Sequence, residues 1–187
     1  EEVTKPSRGL FQLQEFSEQA TNKSKEVKAK HKEQEFYEPF AEWITNELEE
    51  CTKAIPLGGN VFKDKWGTPD VLGIKKAKEI DMLKFPTEIV SAEIKVDNNG
   101  LITAFGQACA YKLFSHKTYI VVPKQSSRDD LDRLDSLSIL FGIGLILFDN
   151  TKPKEPNFEI RTRAMRHEPD MFYANKYMAM VEKELFR

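Results

Sequence analysis

The chain has 187 residues, 40% hydrophobic and 31% charged, enough for one ordinary domain with a real core but too few for two. Its 28 Lys and Arg against 30 Asp and Glu leave a formal net charge of −2, which excludes a general nucleic-acid coat protein and makes any nucleic-acid contact local. No apolar run approaches the roughly 20 residues of a membrane helix.

Residues 1–32 are polar and Lys-rich, with basic residues clustered from Lys23 to Lys32, and read as a connector. The chain opens on Glu1-Glu2 with no initiator Met and no basic-then-apolar leader, so a fragment of a longer cytoplasmic protein is expected. One apolar island, Pro6-Ser7-Arg8-Gly9-Leu10-Phe11-Gln12-Leu13, resembles the closing wing strand of winged-helix DNA-binding domains. That resemblance makes residues 1–32 the end of such a domain; the alternative is a hydrophobic tether onto the domain that follows.

A single α/β domain is expected over residues 33–187. Phe36, Phe40, Trp43, Ile44 and Leu48 recur at three- and four-residue intervals, predicting a helix of about four turns with Glu35, Glu38 and Glu42 mostly on its far side. Pro56-Leu57-Gly58-Gly59-Asn60 breaks the chain, and β-rich runs at 61–62, 71–74 and 88–96 read as a meander. After the turn at 97–100, Leu101, Ala104, Phe105 and Ala108 mark a helix ending near Ser115. Thr118-Tyr119-Ile120-Val121-Val122-Pro123 is nearly all apolar and predicts a central strand buried on both faces. Leu131, Leu134, Leu137 and Phe141 give another helix, residues 144–148 another buried strand, and residues 158–161 an edge strand. Parallel strands need helical crossovers, so this order predicts a central mixed β-sheet flanked by helices on both faces.

The chemistry concentrates in two of these strands. Trp66-Gly67-Thr68-Pro69 leads into Asp70 at the start of one, and Glu93-Ile94-Lys95 closes another 23 positions later. Alternation puts Glu93 and Lys95 on one face and sends Ile94 into the core. If the strands are neighbours, two carboxylates and an ammonium converge, a donor set suited to Mg²⁺. A second Pro-Asp (Pro169-Asp170) and a second Glu-x-Lys (Glu26-Val27-Lys28) lack a partner at a workable distance.

Pro69-Asp70 followed by Glu93-Ile94-Lys95 resembles the signature of the PD-(D/E)XK nuclease superfamily, over residues 35–148. Gln107-Ala108-Cys109-Ala110-Tyr111 in the next helix is similar to the Q-x-x-x-Y motif of one branch, and Gln107 and Tyr111, four residues apart, share a helix side. The resemblance implies a restriction endonuclease-like fold and Mg²⁺-dependent endonuclease activity on DNA, with Mn²⁺ able to substitute, in a bacterial or archaeal restriction, defence or repair system. It implies metal binding by Asp70, Glu93 and the Ile94 carbonyl, with Lys95 orienting water and offsetting charge, and Gln107 and Tyr111 positioning phosphate. It also implies a glutamate from the first helix; Glu35 is favoured over Glu38 and Glu42 because Phe36-Tyr37-Glu38-Pro39-Phe40 is similar to the family's helix start. The partners that follow are DNA, an N-terminal DNA-binding domain and a second copy in a homodimer.

Other chemistries find little support. Cys51 and Cys109 lack metal or disulfide spacing, and His31, His116 and His167 lie far apart and are expected at the surface. Gly58-Gly59 and Gly142-Ile143-Gly144 are too short for a phosphate-binding loop, and Trp66 and Tyr111 are expected in the core. Two rival functions are a catalytically idle nucleic-acid-binding or assembly module and a non-nucleolytic metal-binding domain. An idle copy has no physical reason to keep two mutually repelling carboxylates.

Overall fold

Tyr119, Ile120, Val121 and Val122 are all fully buried, which fixes strand β6 (Lys117–Pro123) at the middle of the domain. The computed structural model describes residues 3–7, 10–13 and 31–187. Around β6 lies a six-stranded mixed sheet. β5 (Glu88–Ile94) and β7 (Gly144–Phe148) run parallel to β6 on its two sides. β4 (Val71–Lys75) pairs antiparallel with β5, and β3 (Lys53–Pro56) with β4; β8 (Glu159–Thr162) closes the other edge antiparallel to β7.

Strand alternation gives the sheet two apolar faces. On one, Val71, Val90, Ala92, Ile94, Val121 and Ile146 meet Phe36, Phe40 and Ile44 of the first helical segment, which is a 3₁₀ turn (Glu33–Phe36) followed by α1 (Tyr37–Asn46). On the other, Ile120, Val122, Leu145 and Leu147 meet α2 (Leu101–Tyr111) through Ala104 and Phe105, and α3 (Arg128–Phe141) through Leu131 and Leu134. Two C-terminal helices, α4 (Met171–Met180) and α5 (Glu182–Phe186), cover Leu72 and Ile74 with Tyr177, Met178 and Leu185.

Several expectations need correction. Val61-Phe62 is a turn rather than a strand, and the edge strand is Lys53–Pro56. That strand is half-exposed and ends in Pro, as an edge permits, so it lacks the apolar signal of its neighbours. α1 is shorter than four turns. Asp170 caps α4, its Oδ1 accepting from the Phe172 and Tyr173 N–H groups, and neither C-terminal helix was anticipated. Within the expected connector, β1 (Val3–Ser7) and β2 (Leu10–Leu13) pair as an antiparallel hairpin. Residues 23–30 of the basic cluster, with the Glu26-Val27-Lys28 repeat, lie outside the described residues.

Candidate active site

The antiparallel register of β4 and β5 sets Val71 opposite Ala92, so Asp70 and Glu93 come to the same end of adjacent strands. The Asp70 N–H donates to the Ala92 carbonyl at 3.0 Å, and the Ile94 N–H donates to Asp70 Oδ2 at 2.8 Å. Both carboxylates are buried, Asp70 7% and Glu93 3% exposed. Lys95 follows the last residue of β5, and its Nζ reaches Glu93 Oε1 at 3.3 Å. The same ammonium lies 3.3 Å from each oxygen of Glu33.

Tyr111, at the end of α2, turns its hydroxyl toward Glu93 Oε2 at 2.9 Å and the Thr68 carbonyl at 3.1 Å. The Gln107 amide lies beside the same hydroxyl. Gly67 passes over both: a Cβ there would lie 3.2 Å from the Tyr111 hydroxyl and 3.6 Å from Gln107 Nε2, and its φ of +92° favours glycine independently.

Burial sets the electrostatics. It pushes the Asp70 carboxyl up to about 6 against the Tyr37 hydroxyl, the Ile94 N–H and Lys95, which favour its charged form, while the Glu33 charge adds to the rise. Burial and then the Asp70 charge push Glu93 up to about 7, with Lys95 and Tyr111 opposing. Burial alone would lower Lys95, but Glu93, Glu33 and Asp70 outweigh it and raise its pKa, so it stays an ammonium. Tyr37 and Tyr111 are raised, by burial first and by these carboxylates, and remain neutral donors.

Five residues singled out in the sequence thus meet: Asp70, Glu93, Lys95, Gln107 and Tyr111. The Ile94 side chain is fully buried in the core, as alternation requires. Glu35 is not brought there. Its Oε1 accepts the Lys32 N–H at 2.9 Å and its Oε2 lies 3.0 Å from His31 Nδ1, while Glu38 and Glu42 are exposed. Glu33, from the 3₁₀ turn, is the glutamate of this segment that reaches Lys95. Glu33, Tyr37 and Thr68 carried no usable sequence signal. Two further corrections concern aromatic and imidazole rings: Trp66 is 65% exposed rather than core, and His116 is buried, its Nδ1 accepting the Ile89 N–H at 2.9 Å.

Comparisons with protein-family models, curated proteins and solved structures find no match. What the site can do follows from its own chemistry. Two desolvated carboxylates raise each other's energy and the Lys95 ammonium pairs with only one of them, Glu93, so a further cation at this point would relieve their repulsion. No group of three or more His, Cys, Asp or Glu able to hold a metal occurs among the described residues. Mg²⁺ does not need one, since it commonly takes one or two carboxylates and completes its shell with water and phosphate oxygens. Among the described residues no helix is long and apolar enough to cross a membrane.

Proposed function

We propose that this chain is a Mg²⁺-dependent endonuclease that hydrolyses DNA phosphodiester bonds, with a restriction endonuclease-like fold of the Q-x-x-x-Y branch. Its setting would be a restriction, defence or repair system. The observation that carries the reading is the meeting of Asp70, Glu93 and Lys95 at one end of two adjacent strands, with Tyr111 hydrogen-bonded to Glu93.

Asp70 and Glu93, with the Ile94 carbonyl, would hold the divalent ion; Mn²⁺ fits the same oxygen donors. When bound, the ion supplies Lewis-acid polarisation of the phosphoryl group and acidifies adjacent water. The protein residues do the rest. Lys95, held as an ammonium, orients water and offsets negative charge developing on the phosphoryl oxygens. Tyr111 fixes the Glu93 carboxylate, and Gln107 beside it would position a phosphate oxygen. Glu33 holds Lys95 from the opposite side and belongs to the same charge network. The antiparallel pairing of β1 and β2 supports reading residues 6–13 as the closing wing of a winged-helix DNA-binding domain.

The test is incubation with linear, circular and branched DNA and with RNA, in Mg²⁺, Mn²⁺ or chelator. Cleavage of DNA in metal that is lost in chelator and in Glu93→Gln supports the proposal. Metal-independent cleavage, or equal cleavage by Glu93→Gln, contradicts it.

A further inference from the structure

Beside the carboxylates lies an apolar cavity of about 350 Å³, walled by Trp66, Gly67, Ala110, Tyr111, Leu113 and Tyr177. Its volume is at the lower end of the roughly 300–1,000 Å³ typical of small-ligand sites. Tyr111 serves both places: its ring lines the cavity and its hydroxyl holds Glu93. A guest against that ring is therefore one side chain from the proposed site of cleavage.

The exposed indole of Trp66 is on a braced turn. Asp64 Oδ1 accepts the Trp66 N–H at 3.1 Å, the Asp64 carbonyl accepts the Gly67 N–H at 3.2 Å, and Asp64 Oδ2 accepts the Tyr177 hydroxyl at 2.7 Å. Phe62, four residues earlier, stacks on Tyr177 with ring centroids 4.6 Å apart, and its N–H donates to Thr68 Oγ1 at 3.1 Å. A large aromatic left in water on so constrained a turn is placed for contact with something outside the chain. Lys63 and Lys65, both exposed, precede it on the same turn, which suits a guest attached to a polyanion.

We propose that this cavity takes one unpaired nucleobase next to the scissile phosphate, stacked on Trp66. The substrate class would then be single-stranded or locally unpaired DNA, because a base within an intact duplex must first be unstacked and unpaired. This rests on the nuclease reading above.

The test is fluorescence anisotropy of a labelled single-stranded oligodeoxynucleotide and of the blunt duplex of the same sequence, with chelator present so that nothing is cut. The wild-type chain should bind the single strand more tightly. Trp66→Ala should weaken single-strand binding about tenfold and leave duplex binding nearly unchanged, while Trp66→Phe keeps most of the affinity because stacking needs only an aromatic face. Ala110→Leu, which fills the floor and keeps the indole, should weaken single-strand binding as Trp66→Ala does. Equal single-strand affinity in wild type and Trp66→Ala, or an equal loss on duplex, overturns the proposal. Mg²⁺ cleavage by the same preparations separates the two readings. A chain that binds single strands through Trp66 and never cuts keeps the base site and sinks the nuclease. One that cuts DNA with no regard to Trp66 does the reverse, and one that binds no nucleic acid sinks both.

Discussion

Tyr111 and Glu93 are joined by a 2.9 Å hydrogen bond that ties the end of α2 to the end of β5. Because the hydroxyl also faces the Thr68 carbonyl, Tyr111 couples the helix, the strand and the loop carrying Asp70. Tyr111→Phe should leave a buried acceptor short of its donor and destabilise the fold by about 1–2 kcal/mol. DNA cleavage should fall about tenfold through loss of positioning, less than in Glu93→Gln. Urea denaturation and initial rates measure the two effects; a variant as stable and as active as wild type would show the bond to be idle.

Glu33 and Glu35 are separated by the same reasoning. Glu33→Gln removes a charge that touches Lys95 and raises Asp70, and should reduce cleavage about tenfold or more. Glu35→Gln keeps an acceptor for the Lys32 N–H on an exposed side chain, and should leave both stability and rate near wild type. Rates of the two variants side by side decide it, and the opposite order would return the first-helix role to Glu35.

The raised carboxyls predict an unusual pH dependence of stability in chelator. Asp70 at about 6 and Glu93 at about 7 lie above their ordinary values of 3.8 and 4.5. Between about pH 4 and 7 the folded state therefore binds more protons than the unfolded state, and stability falls as pH rises through that window. The loss should be several kcal/mol, and this pair adds no further slope above about pH 8. Urea unfolding at about pH 5 and about pH 8 should show it in wild type and a much flatter response in Asp70→Asn/Glu93→Gln. Identical slopes in both proteins would mean that the two carboxyls are not raised.

The meeting of Asp70, Glu93 and Lys95 was legible because alternation and strand order are local rules: one residue decides that Glu93 and Lys95 face one way and Ile94 the other. Gln107 and Tyr111 were legible by the same kind of rule on a helix. Glu33 was not, because a 3.6-residue period read from Phe36, Phe40 and Ile44 does not show that the segment begins as a 3₁₀ turn. Tyr37 and Thr68 reach the site only through the tertiary fold. The exposure of Trp66 depends on Asp64 meeting Tyr177, 113 positions away, and no local pattern in residues 61–67 encodes that contact. α4 lacked a strong amphipathic stripe, since it covers β4 through few residues, Ala174, Tyr177 and Met178.

Metal binding by Asp70 and Glu93 is the claim on which the proposed chemistry stands, and it can be measured without knowing the substrate. Thermal melts of wild type and Asp70→Asn, each with chelator and with millimolar Mg²⁺ or Mn²⁺, test it most directly. In chelator Asp70→Asn should melt modestly higher, because one of two repelling charges is gone. Added metal should raise the wild-type Tm with concentration, following RT ln(1 + [L]/Kd), and should move the variant far less. Equal metal responses in the two proteins, or none in wild type, would contradict the assignment of this pair as the metal centre.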